Sequence, residues 1–130
     1  MLFRSNIPAD LSYSKDHEWI KGDAQAGSSV TIGITDYAQS ALGDIVYVQL
    51  PKVGDKVVEG KVCGEVESTK SVSEIYSPVT GVITEINNAL EQKPEAINQD
   101  PYGSGWIAKI DIENQPNSLL DANGYTSLIA

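Results

Sequence analysis

A mainly β fold is predicted for this chain of 130 residues. Two observations carry the prediction: short runs in which valine and isoleucine alternate with polar residues, and the glycines and prolines that punctuate them. Only two short stretches show helical spacing, so helices are expected at the periphery, one of them near the C-terminus.

The first hairpin is expected from HEWIKG and SSVTIGIT, joined by DAQAGS, with Trp19, Val30, Ile32 and Ile34 at alternating positions. A helix should follow, capped by Asp36 with Gln39 three residues on. Tyr37, Ala38, Ala41 and Leu42 would supply its apolar face, and Gly43 its left-handed stop. DIVYVQLP then alternates Ile45, Tyr47 and Gln49 against Val46, Val48 and Leu50, and proline closes it. KVVEG, KVCGEVE, SVSEIYSP and VTGVITEI continue as short strands up to Ile86. Gly54, Asp55 and Val57 before Lys70, with Pro78, Gly81 and Val82 after it, form a loose two-fold echo, as two matching strand pairs folded over each other would. The stretch NNALEQKPEAINQDPYGSG lacks periodicity, and loops of that length in compact domains tend to be functional or packed on themselves. WIAKIDI resumes a strand. A closing helix is expected around residues 118–123, with Leu119, Leu120 and Ala122 inward and Gly124 ending it.

Length fits one domain spanning residues 1–130, and 41% hydrophobic residues allow a packed core. A formal charge of −9 argues against nucleic acid, whose phosphates call for an excess of lysine and arginine, and favours basic patches on protein partners. No apolar run approaches a membrane span, so a soluble protein is expected, in the bacterial cytoplasm or, as a processed form, in a mitochondrion. The single cysteine, Cys63, lies in a strand pattern and reads as a small buried hydrophobe in a reducing compartment.

Catalytic chemistry is hard to assemble from these residues. His17 is the only histidine and is expected to be structural; no Cys and His cluster has zinc spacing, and the glycines of PYGSGW follow a loop rather than a strand. The informative residue is Lys70, alone in EVESTKSVSEI between two strand patterns. Ser68, Thr69 and Ser71 leave its tip open to another enzyme, and Glu67 gives that enzyme a charged landmark. A lysine so placed suits modification. Acylation would remove its charge and create a flexible tether reaching on the order of a dozen ångströms.

Gly54 sixteen positions before Lys70, Glu67 three before it, Gly81 eleven after it, and Ser77 and Pro78 between resemble the biotinyl and lipoyl attachment domains. Biotin carriers place methionine on both sides of the lysine; here Thr69 and Ser71 stand there, which disfavours biotin. SYSKDHEWIK, VTIGITDYAQSALGDIVYVQLP, GEVESTKSVSEIYSPVTG and NQDPYGSGWIAKI, in that order, resemble the H proteins of the glycine cleavage system over nearly the whole chain. The resemblance implies a barrel-sandwich hybrid of the lipoyl/biotinyl hammerhead type, and lipoic acid in amide linkage to Lys70. It implies a non-catalytic carrier that takes the aminomethyl group of glycine from a pyridoxal-phosphate glycine decarboxylase to a folate-dependent aminomethyltransferase. Reoxidation by a flavin-dependent dihydrolipoyl dehydrogenase and modification by lipoate attachment enzymes complete its partners. It further implies that Glu18 and Glu74 line a cleft for the arm, where a carboxylate suits a cationic amine. Two other readings stay open at this level: a relay of octanoyl or lipoyl groups in lipoate assembly, and an unmodified β interaction module.

Overall fold

The structure is a computed structural model that describes residues 6–130. Its strands are β1 (Ser12–Tyr13), β2 (Glu18–Lys21), β3 (Ser29–Ile34), β4 (Ile45–Gln49), β5 (Lys56–Val57), β6 (Val62–Ser68), β7 (Val72–Tyr76), β8 (Thr80–Ile86) and β9 (Ala108–Asn114). Three helices, α1 (Asp36–Leu42), α2 (Ala96–Gln99) and α3 (Ala122–Ile129), lie among them. The strands form two sheets of different size, one of six in the order β1-β2-β3-β9-β8-β5 and one of three in the order β4-β6-β7. Every pairing is antiparallel. This is the expected mainly β hybrid of two sheets with peripheral helices, and the strands do not close into a single barrel.

The core lies between the sheets. Val30, Ile32, Ile83 and Ile110 come from the large sheet, and Val48, Val66 and Ile75 from the small one, all nearly excluded from water. Each such side chain contributes roughly 1.5–3 kcal/mol by leaving water, which stiffens both sheets. A second cluster gathers Leu11, Tyr13, Trp19 and Tyr125, with the Tyr13 and Tyr125 rings stacked 4.8 Å apart. It ties α3 to the first strands.

Several local expectations are corrected. Helix α1 is capped by Thr35, not Asp36: Thr35 keeps extended backbone and its Oγ1 accepts from the Ala38 N–H at 3.2 Å. Asp36 is the first helical residue, and its carboxylate accepts instead from the Gln39 side-chain amide at 2.7 Å. Ala38 and Leu42 pack on the core, whereas Tyr37 and Ala41 stay exposed. Gly43 does end the helix, with φ 84°.

In β4 the simple alternation fails. A bulge between Ile45 and Tyr47 adds a residue, so Ile45 and Val48 are buried while Val46 and Tyr47 both face water. At the other end, α3 begins at Ala122 because the Asp121 carboxylate accepts from the Gly124 N–H at 2.7 Å. Gly124 therefore opens the helix rather than ending it. Leu120, expected to be helical, exchanges both backbone hydrogen bonds with Tyr13 of β1, a strand too short to show a period in the sequence. The aperiodic stretch folds into a 3-10 turn (Asn88–Glu91) and α2, burying Leu90 and Ile97.

The two-fold echo has a structural counterpart. β5 pairs with β8, Lys56 opposite Val82 and Val57 opposite Gly81. Strands β6 and β7 are the insert between them, and Lys70 is at their turn. No helix among the described residues is long and apolar enough to cross a membrane.

Candidate functional site

Lys70 is exposed at the β6–β7 turn, held by bonds that leave its side chain free. The Ser68 N–H donates to the Ser71 carbonyl at 2.8 Å, and Ser68 Oγ accepts from the N–H groups of Lys70 and Ser71 at 3.2 and 3.1 Å. Two-residue hairpins usually rely on glycine or asparagine with positive φ. Among the described residues the only non-glycine with positive φ is His17, so Thr69 and Lys70 do without it. The serine hydroxyl supplies the turn's missing partner instead.

A platform braces the turn from one side. The Thr69 N–H donates to the Asp44 carbonyl at 3.0 Å, and the Lys70 chain lies over Gly43, where an added Cβ would meet Lys70 Cε at 3.4 Å. Asn98 of α2 fixes this platform: its amide donates to the Gly43 carbonyl and to Gln39, each at 2.9 Å, and its oxygen accepts from the Ile45 N–H at 2.9 Å. Asp44 and Asn98 were not singled out from the sequence, and Ser68 was read only as leaving the tip open, not as capping the turn. The signal for Asn98 was the length of the aperiodic stretch that carries it.

Glu67 lies on the outer face of the small sheet, paired across strands with Tyr47 and Val72. Gly54 and Gly81 do not approach Lys70; they act in the large sheet. Gly54 turns with φ 94° and its N–H donates to the Ile83 carbonyl at 2.8 Å. At Gly81 the β9 backbone comes so close that a Cβ would strike the Asp111 carbonyl. Their spacing from Lys70 therefore reports the scaffold that positions the hairpin.

Glu18 and Glu74 both line a cavity of about 220 Å³, whose walls combine Ala38, Leu42, Val66 and Ile75 with Asp16, His17 and Ser73. Leu42 immediately precedes Gly43, so this cavity adjoins the platform under Lys70. Glu18 is only 2% exposed; Ser14 Oγ donates to it at 2.6 Å and the Tyr76 N–H at 3.3 Å. Burial pushes its carboxyl up to about 8, although both hydrogen bonds favour the charged form. Glu74 is exposed at the rim. His17 reaches the Tyr125 hydroxyl through Nδ1 at 2.9 Å, and that hydroxyl bonds Thr35 Oγ1 at 2.7 Å, so the imidazole joins the cap of α1 to α3. Burial lowers its pKa, favouring the neutral ring. Cys63 is partly buried, and burial raises its thiol to about 12, which keeps it protonated and unreactive.

Lys70 is thus an exposed amine on a pinned hairpin, carried by a two-sheet body. Residues 11–130 match the family described as Glycine cleavage H-protein. The glycine cleavage system H protein of Myxococcus xanthus is 50% identical over 126 residues, covering 95% of each chain. That of Streptomyces coelicolor is 52% identical over 120 residues, covering 92% of this chain and 94% of its own. A crystal structure of a glycine cleavage system H protein from Mycobacterium marinum superposes with a TM-score of 0.87 at 47% identity, covering 93% of this chain and 97% of that one. The chain belongs to the glycine cleavage H-protein family, whose members are lipoyl carriers and not catalysts.

Proposed function

We propose that this protein carries the aminomethyl group of glycine between the enzymes of glycine cleavage, on a lipoyl group joined in amide linkage to Lys70. The observation that carries the assignment is the exposed Lys70 amine on a turn whose hydrogen bonds are satisfied without it. The residues suit the group. Among the described residues the ion pairs are Lys56 with Glu113 and Lys109 with Glu85, so Lys70 is held by neither kind of contact and its amine is available. When attached, the lipoyl group supplies a reducible disulfide whose sulfur can accept a one-carbon amine.

The protein's own residues position and shelter. Ser68 and Asp44 fix the origin of the tether, which confines the volume its end can search. Gly43 leaves room for the lysine chain to lie across the end of α1 toward the cavity. In the cavity, apolar side chains from α1 and the small sheet form part of the wall, Glu74 places a carboxyl at the rim, and buried Glu18 offers a second that holds its proton near neutrality. A cationic amine entering there would favour the charged form of Glu18 and draw its proton off.

The partners on this reading are glycine decarboxylase, the folate-dependent aminomethyltransferase, dihydrolipoyl dehydrogenase and the enzymes that attach lipoate. Intact mass of protein from a lipoate-competent host should show one added lipoyl group, mapped to Lys70. The modified protein should support exchange between glycine and bicarbonate with the decarboxylase. A modified protein inactive in that exchange would point to a relay of acyl groups instead.

A further inference from the structure

The outer face of the small sheet carries apolar side chains that the fold leaves in water. Val46 is 54% exposed, Tyr47 49% and Val72 58%. All three are close to the modified turn. Tyr47, Glu67 and Val72 form one row across β4, β6 and β7, the next row out from the Ser68–Ser71 turn. The bulge places Val46 beside Tyr47, so two neighbours that strict alternation would send to opposite faces are both exposed. Tyr47 and Val72 flank Glu67 in that row, so the exposed apolar side chains gather around an acid beside the turn, a grouping that marks contact surfaces more than isolated exposed side chains do.

The row behind has its own cost. Gln49, Glu65 and Glu74 stand side by side, with Glu65 directly opposite Glu74. Like charges in a cross-strand pair repel, and a cation from outside would relieve them. With Glu67 between Tyr47 and Val72, this face interleaves exposed apolar side chains with acid. It fits a partner whose contact surface combines apolar side chains with basic groups.

Reach selects which partner. Resting on the reading of Lys70 as the attachment site, the enzyme that adds the lipoyl group must bring its reacting carbon to Nζ itself. That atom is about 6 Å from the lysine Cα, so this enzyme must touch the residues flanking the turn. Enzymes acting on the completed arm meet its end at roughly twice that distance and need not.

We infer that the row Tyr47–Glu67–Val72, with Val46 and the Glu65–Glu74 pair beside it, is the docking face for the lipoate-attaching enzyme. On this face the enzyme holds the turn while deprotonated Nζ attacks the carbonyl carbon of lipoyl adenylate. The new N–C bond forms as the C–O bond to phosphate breaks. AMP leaves with the bonding pair, and the surplus Nζ proton passes to solvent.

The test uses the full chain in its unmodified form, a lipoate–protein ligase, lipoic acid and ATP, followed by intact mass over time. Tyr47→Ser with Val72→Ser changes exposed positions and should leave the melting temperature within a few degrees. Its kcat/KM for modification should fall about tenfold or more, chiefly through KM. Glu65→Lys should slow modification further at low salt, and the gap should narrow as salt rises. Once modified to completion, the Tyr47→Ser/Val72→Ser protein should match the unaltered protein in reduction and reoxidation by dihydrolipoyl dehydrogenase. Unchanged modification rates would overturn the inference. An equal loss in the dehydrogenase assay would overturn its assignment to the attaching enzyme. If the unaltered protein is never modified at Lys70, the attachment reading itself fails and the docking face goes with it.

Discussion

The six-stranded and three-stranded sheets use the same alternating code for different ends. The large sheet faces the core on one side and, over Trp19, is covered by an aromatic cluster on the other, so its strands are spent on stability. The small sheet buries one face through Val48, Val66 and Ile75 and leaves the other to water, with Lys70 at its end. The difference teaches how a small carrier can be rigid and approachable at once. One sheet supplies the cohesion, and the second borrows it through a shared core.

That division can be broken most sharply at Lys70. Lys70→Arg should abolish lipoylation completely, seen as absence of the mass increase, while the melting temperature stays close to that of the unaltered protein. A large fall in melting temperature would mean that the turn lysine also holds the fold. Gly81→Val tests the opposite limb, because its side chain would strike the β9 backbone at Asp111. A loss of about 3 kcal/mol or more is expected in denaturant unfolding. If it unfolds no more easily than the parent, the close strand packing of the large sheet is not what carries stability.

Glu18 joins the two sheets, from β2 to the Tyr76 N–H of β7. Its carboxyl moves from an ordinary 4.5 to about 8 on folding. Between those values the folded state holds a proton that the unfolded state has lost, so stability should decline as pH rises through that window and level off above it. The slope should approach about 1.4 kcal/mol per pH unit, and Glu18→Gln should remove it. Urea titrations at several pH values would decide; an unaltered slope in the glutamine variant would mean that other groups set it. The smallest effect belongs to Ser68→Ala, which takes away the hydroxyl that caps the Lys70 turn. A cost of about 1 kcal/mol is expected, with faster amide exchange confined to Lys70 and Ser71. Faster exchange throughout β6 and β7 would show that the small sheet depends on its turn more than on the shared core.

Much of this was legible in the residues. The hairpin of β2 and β3, the small-sheet strands around Lys70 and the glycine stop of α1 follow from alternation and from turn chemistry, which act over a few residues. Expectations failed where a neighbour distant in sequence decided the outcome. The α1 cap fell to Thr35, whose hydroxyl also bonds Tyr125. Leu120 became a bridge partner of Tyr13 because that backbone was unpaired on its other edge. The β4 bulge put Val46 in water, which alternation alone does not reveal.

By itself the sequence determined the strand-rich class, the lone lysine between matched strand pairs, the attachment-domain spacing of Gly54, Glu67 and Gly81, and the family to which four blocks in order along the chain pointed. Those properties are local or depend only on order along the chain. Tertiary structure decided that Gly54 and Gly81 serve the scaffold and do not touch Lys70, that Asn98 braces the turn from a distant loop, and that Glu18 and Glu74 share one cavity. It also decided which face of the small sheet stays open beside the lysine. Burial, close approach and charge environment arise only when separate segments meet, so no window of sequence contains them.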